Sequence, residues 1–163
     1  AEALVLLAAT GARVDAGAVT PGVLEAERTE GRARVGVRSP DGPVARADVA
    51  LGIEPRVHVS VRCGDPLDEV VLRSYCVGAA HMALGWVCSE GLAVDEAGEV
   101  HDLTVRSFGV LRAVDTPPID VSVEPSDDPP VNGSDTVFAA VAAAAWLAQD
   151  CPPYWPTGHR LRR

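Results

Sequence analysis

Two groups of residues in this chain have the types and spacing that chemistry needs, and the first is a row along one apolar stretch. Ser74, Gly78, Met82 and Gly85 follow one another at steps of four, four and three. On a helix these steps place the four residues on one face. Each glycine inside a helix costs roughly 1 kcal/mol relative to alanine, which favours close approach by another backbone or a bound cofactor. Packing of a core helix against a sheet is the alternative.

The second group is an acidic pair, Asp127 and Asp128, followed directly by Pro129 and Pro130. A polar, proline-rich segment of this kind is most often a solvated loop. The alternative is a carboxylate that faces a cofactor, with a pKa raised by desolvation so that it accepts a proton near neutral pH. The sequence alone leaves both interpretations open.

The histidines and cysteines do not form a metal-binding pattern. His81 has no His or Cys three or four residues further on, so we predict a hydrogen-bonded helix–sheet contact, and His58 stands alone on a strand. The four cysteines lack CxxC spacing, and a chain with a sizeable core does not need disulfides. We therefore predict reduced thiols, no metal site and a cytoplasmic location. In that location Asn132-Gly133-Ser134 is a turn before a helix cap rather than a glycosylation site.

Composition excludes two broad classes of function. The 163 residues carry a net charge of −9, and no basic cluster precedes the last few residues, which argues against nucleic-acid binding. No run of 18 apolar residues is free of charges or breaks, so we expect no membrane span. The apolar Ala3–Ala9 segment lacks the flanks of a signal peptide. The chain begins with Ala1, which suggests processing or a fragment of a longer polypeptide.

The elements that must position these residues are two helices and a sheet. The stretch Leu67–Leu92 predicts a long helix opened by Asp65-Pro66, and Ser134-Asp135 predicts the start of an alanine-rich helix over 136–149. Period-two alternation predicts strands over 48–53, 57–61 and 119–123, with a hairpin over 92–101 and an extended segment over 104–114. Residues 32–38 alternate in the manner of an exposed strand, but the sequence does not decide between a hairpin and an irregular surface segment over 12–46.

The predicted fold is α+β: a long glycine-containing helix and a shorter alanine-rich C-terminal helix packed on a mixed or antiparallel sheet. Residues 47–157 form the predicted domain. Residues 1–46 are left without a structural assignment beyond a short helix over 1–9. Residues 158–163 are a tail.

Several segments, in this order, resemble the C-terminal part of the molybdopterin-binding subunit of the xanthine dehydrogenase and aldehyde oxidase family of molybdenum hydroxylases. The resemblance covers roughly residues 48–157. It is carried by Arg62-Cys63-Gly64-Asp65-Pro66-Leu67, Gly78 to Trp86, Ser89-Glu90-Gly91-Leu92, Leu111-Arg112-Ala113, Asp115 to Ile119, and Asp128-Pro129-Pro130 before the alanine-rich segment.

The resemblance implies a cofactor and partners. Molybdopterin, the molybdenum cofactor, would be shared with the rest of the subunit, while [2Fe–2S] clusters and FAD would belong to partner subunits in a hetero-oligomer. Ser74, Tyr75, Gly78, Ala79 and Gly85 would border the cofactor. Such a site is not complete within this chain alone.

Two positions depart from the family pattern. The family's cofactor-contacting Gln corresponds to Tyr75, which has a phenol instead of a carboxamide. Its general-base Glu corresponds to Asp128, which reaches about 1.5 Å less. Two hypotheses follow. The chain is part of an oxidoreductase that hydroxylates a heterocycle or aldehyde with oxygen from water, with Asp128 as the catalytic base. Alternatively, it is a non-catalytic, degenerate or stand-alone domain that acts as an assembly or interaction module.

Overall fold

The computed structural model describes residues 22–101 and 104–161. The helix predicted over residues 1–9 lies outside these ranges. The strands are β1 (Val23–Thr29), β2 (Arg32–Arg38), β3 (Val44–Ala50), β4 (Arg56–Arg62) and β5 (Ile119–Val123). The helices are α1 (Glu69–Cys88), α2 (Val105–Phe108) and α3 (Ser134–Leu147), with a 3₁₀ turn at Ala113–Asp115.

The five strands form one mixed sheet in the order β1-β2-β3-β4-β5. Neighbours are antiparallel except β4 and β5, which are parallel because α1 lies between them in the chain. Period-two alternation puts apolar rows such as Val35, Ala47 and Val59 on the helix side. The opposite face carries charged rows. The α+β fold predicted from the sequence is confirmed.

Helix α3 is the centre of the core. It packs against β2 and β3 on one side and against α1 on the other. Its residues from Ala139 to Ala145, all alanines except Val141, are fully buried. Small side chains let the sheet, α3 and α1 stack closely, which explains why this helix is alanine-rich.

The domain boundary predicted at residues 46/47 falls inside β3. Strands β1 and β2 precede that boundary yet pair in the same sheet, so residues 22–46 are continuous with the rest of it. The segment predicted as a tail also packs against the domain. The amide of Gly158 donates to the carbonyl of Cys88 at 3.0 Å, and Leu161 is buried.

Strand β1 was not predicted, and the strand predicted over 48–53 begins and ends earlier, as β3. Local side-chain caps account for two further differences from the predicted elements. The 104–114 segment is not extended: Thr104 and Ser107 cap each other's backbone amides and start the short helix α2, which Gly109 ends with φ +79°. Helix α1 is capped by Asp68, whose carboxylate accepts from the amides of Val70 and Val71, rather than by Asp65.

Helix α1 is long and apolar enough, by length and composition alone, to cross a membrane. A core helix of a globular domain meets the same criteria, and one side of α1 is buried against α3 and β5. These properties therefore do not assign α1 to a membrane.

Candidate functional site

Helix α1 is apolar on both faces, and residues 22–101 and 104–161, which the structure describes, bury only one of them. The buried face includes Cys76, Ala80, Ala83, Leu84 and Val87. The opposite face presents a row that we call the outer seam, consisting of Val71, Tyr75, Gly78 and Met82. Tyr75 is 66% exposed and Met82 is 55% exposed. A helix that is apolar all round is normally buried all round, so the outer seam has the composition of an interface.

The residues predicted to border a cofactor do not all share one environment. Ser74, Tyr75 and Gly78 are exposed on the outer face of α1, and a Cβ at Gly78 would meet no atom within 4 Å. Ala79 points into the core, where it is 2% exposed. Gly85 is buried. The outer face is therefore open around Gly78 and closed at Gly85.

The close approach predicted at Gly85 is made by the chain itself. The carboxyl carbon of Glu90 lies 3.0 Å from the position that a Gly85 Cβ would occupy. Glu90 accepts a hydrogen bond from the amide of Leu111, and the Leu111 carbonyl accepts one from His81 Nε2 at 2.9 Å. Gly85 therefore makes room for an internal carboxylate. The predicted hydrogen-bonded contact of His81 is made to the 111 segment rather than to a strand.

Burial raises the pKa of the Glu90 carboxyl, although the nearby His81 and the Leu111 amide act in the opposite direction. The native state therefore holds the Glu90 proton more tightly than the unfolded state does. The stabilisation from this group is present at a pH below its unfolded pKa and is lost as the pH rises through its folded pKa.

Replacing Glu90 with glutamine should remove this pH-dependent loss of stability, while the side chain keeps an acceptor for the Leu111 amide. We expect the melting temperature of the variant, relative to the wild type, to rise between pH 4 and pH 7, as the pH passes the ordinary and then the raised pKa of the Glu90 carboxyl. Thermal unfolding at a series of pH values, followed by far-UV circular dichroism, measures the difference. A constant difference across that range would contradict the argument.

The loop that carries Asp128 is fixed to the end of β4 through its backbone. The Asp65 amide donates to the carbonyl of Asp128 and the Val131 amide donates to that of Cys63, both at 2.9 Å. The Asp128 carboxylate accepts from Ser126 Oγ at 2.8 Å and lies 3.6 Å from Arg62 Nη2. It is 68% exposed. This carboxylate is held in a polar, solvated environment.

A cleft of about 590 Å3 opens between the N-terminal half of α1 and the segment that leads into α3. Tyr75, Val71 and Leu67 line one side and Val131 lines the other, with Cys63 also among the lining residues. Burial raises the pKa of the Cys63 thiol, so it remains protonated at neutral pH. Tyr75 is the only predicted site residue that lines this cleft among the residues that the structure describes; Asp128 does not.

The chemistry of the cleft does not fit the anionic part of a molybdopterin cofactor. Its lining contains no Arg or His within residues 22–101 and 104–161. The N-terminus of α1 is already satisfied by Asp68, and the first turn of α3 carries Asp135. Both helix starts therefore place a negative charge where a phosphate would need a positive one. We derive no catalytic step through this cofactor from the residues of this chain.

A further cluster, which the sequence patterns did not predict, lies on the turn after α1. Asp95, Glu99 and His101 hold their ligand atoms within 4.8 Å of one another, and all three are exposed. Asp95 already accepts from the amides of Ala97 and Glu99 and from His101 Nε2. These bonds lower the pKa of Asp95. They also account for the cluster as the internal bonding of a turn.

No protein-family model matches the sequence, and no curated protein matches it. Solved structures are similar to it in part. The Cu,Mo-CO dehydrogenase in its carbon monoxide reduced state is 19% identical with a TM-score of 0.46, over 72% of this chain and 16% of that one. Quinoline 2-oxidoreductase from Pseudomonas putida 86 is also 19% identical, with a TM-score of 0.47, over 72% of this chain and 16% of that one.

Reconstituted CO dehydrogenase from Oligotropha carboxidovorans is 18% identical with a TM-score of 0.43, over 73% of this chain and 15% of that one. The chain thus spans about one sixth of the length of the proteins it resembles. A likeness at this level concerns the fold alone.

Proposed function

We propose that this chain is an assembly part of a molybdenum-hydroxylase-type oxidoreductase. In this role it packs through the outer seam of α1 on the remaining molybdopterin-binding portion, which supplies the groups that hold the cofactor. Iron–sulfur and flavin subunits complete the hetero-oligomer, which hydroxylates a heterocycle or an aldehyde with oxygen from water. The sequence resemblance over residues 48–157 supports the choice of family.

The single observation that carries the assembly role is the second apolar face of α1. The seam side chains Val71, Tyr75 and Met82 are each about half exposed or more. Burying apolar surface is favourable by roughly 25 cal/mol per Å2, so such a face is stabilised by a protein partner. Open space at Gly78 allows a partner backbone to approach closely.

A second function is the catalytic one, in which Asp128 acts as the general base and Ser74, Tyr75 and Gly78 border the cofactor. It is favoured by the retained carboxylate directly before Pro129. Against it stands the position of that carboxylate, which is bonded to Ser126 and is not in the cleft beside Tyr75.

Co-expression of the chain with the products of its neighbouring genes tests the two functions. If the chain is an assembly part, Met82→Asp should abolish co-purification, because a charge would enter the seam. Asp128→Asn should then leave both the bound molybdenum and the hydroxylase activity of the assembly within about twofold. If Asp128 is the base, the Asn variant should retain molybdenum but lose activity by about 100-fold or more.

Ile53→Asp is the matched control for Met82→Asp. Ile53 is 97% exposed and lies in the connection between β3 and β4 rather than on α1. This variant should co-purify like the wild type. Metal-free chains that co-purify with no partner would overturn both functions.

A further inference from the structure

The two chain segments that line the cleft beside the outer seam, which we call its rim, are acidic in sequence, and Asp68 is the carboxylate that lines the cleft itself. Segments 62–75 and 124–135, which contain its lining residues, carry seven carboxylates and two arginines. Glu69 is paired with Arg73 and Glu124 with Arg46. The five others are Asp65, Asp68, Asp127, Asp128 and Asp135. The second arginine, Arg62, lies 3.6 Å from Asp128. The rim therefore keeps a net negative charge.

The outer seam has the spacing of a helix-pairing surface. Val71, Tyr75, Gly78 and Met82 follow one another at steps of four, three and four. This is the spacing of the a and d positions of paired helices, whose side chains interdigitate with those of a second helix. Val71 and Tyr75 lie on the seam and also line the cleft, so the two features form one continuous surface.

We infer that this surface binds an amphipathic helix whose apolar stripe is flanked by arginine or lysine. Apolar side chains of that helix would fill the cleft between Tyr75 and Val131, and its cations would face the aspartates of the rim. The inference rests on the assembly role proposed above and adds the chemistry of the partner segment.

The charge of the rim argues against two other occupants. In a symmetric dimer through this surface, the acidic rim of one copy would face the same rim of the other. An anionic lipid surface would meet the same repulsion. A basic helix is the occupant whose charge complements the rim.

Fluorescence anisotropy with the full 163-residue chain tests the inference. The probe is a labelled 18-residue peptide with leucine at a and d positions and lysine at the flanking positions, and its control has glutamate instead of lysine. We expect the lysine probe to bind and the glutamate probe not to bind. Raising the salt concentration from 50 to 300 mM should weaken binding of the lysine probe several-fold.

Two sets of variants locate the binding surface. Asp65→Asn, Asp68→Asn and Asp135→Asn together should raise the Kd by about tenfold, and asparagine at position 68 still caps α1. Leu67→Ser with Val71→Ser should have an effect of similar size. Leu67 is 95% exposed, so the chain does not need its side chain to fold. The charge-matched control is Glu30→Gln, Glu54→Gln and Glu96→Gln, all at exposed positions, and it should bind like the wild type.

The inference would be overturned if both probes bound equally or if neither bound. It would also be overturned if the control variants lost as much affinity for the lysine probe as the variants of the cleft. A dimer of the chain that Val71→Ser dissociates would overturn it as well. Because this measurement needs neither molybdenum nor a native partner, its outcome is separate from that of the co-expression test. If the chain co-purified with molybdenum but did not bind the lysine probe, the assembly role would still hold and the basic-helix partner would be excluded.

Discussion

Replacing Gly64 with alanine should lower the free energy of unfolding by about 2–5 kcal/mol. Gly64 has φ +84°, a conformation that costs other residues energy. A Cβ there would also lie 2.6 Å from the carbonyl carbon of Pro129 and 2.8 Å from the carbonyl oxygen of Asp128. Both atoms are backbone, so the loop itself would have to move. Urea unfolding followed by far-UV circular dichroism gives the value.

Gly98 provides a matched control, because its φ is also +84° and a Cβ there would meet no atom within 4 Å. Gly98→Ala should therefore show the conformational cost alone, about 1–2 kcal/mol. The difference between the two variants isolates the contact with the Asp128 loop. Equal costs would show that the loop does not rest on Gly64.

This contact explains how one short segment organises the candidate site. Gly64 lies between the end of β4 and the start of α1, and the Asp128 loop is bonded to residues on both sides of it. The sequence predicts that Asp65-Pro66 opens the long helix. It does not predict that a segment more than sixty residues later rests on Gly64, because such a contact leaves no periodic signal.

Sequence periodicity predicted the elements whose burial is regular. Strands β4 and β5 alternate with period two, and both were predicted within a residue or two of their observed bounds. The alternation over 32–38, which the sequence left undecided, is strand β2. The 104–114 segment has apolar residues that suit a strand, but a reciprocal side-chain cap between Thr104 and Ser107 starts a helix there. Where the apolar pattern is weak, local side-chain hydrogen bonds determine the secondary structure.

The glycines of α1 show the limit of the same reasoning for function. Spacing places Ser74, Gly78, Met82 and Gly85 on one face of α1, yet it cannot reveal that Glu90 fills the space above Gly85. A small residue on a helix indicates close approach and does not identify what approaches. For Gly85 the approaching group belongs to the chain, while for Gly78 we propose that it belongs to a partner.

Replacing Trp155 with alanine should have the second large effect, a loss of about 2–4 kcal/mol in the free energy of unfolding. The ring centroid of Trp155 lies 4.3 Å from that of Trp86 on α1 and 5.2 Å from that of Trp146 on α3. These edge-to-face pairs join the C-terminal segment to both helices at once. We expect a smaller loss in the free energy of unfolding than for a fully buried tryptophan, because Trp155 is half-buried.

The destabilisation caused by Trp155→Ala should extend along the C-terminal segment, because that segment continues from Trp155 into backbone contacts with α1. The amide of Thr157 donates to the carbonyl of Val87 at 2.8 Å, directly beyond the aromatic cluster. Limited proteolysis of the Ala variant should therefore cut after residue 151 much faster than in the wild type. Tyr154→Ala is the control, since Tyr154 is 80% exposed and should change stability by less than about 0.5 kcal/mol. Similar costs for the two variants would mean that the cluster does not hold the segment, and the end of α1 would then need another anchor.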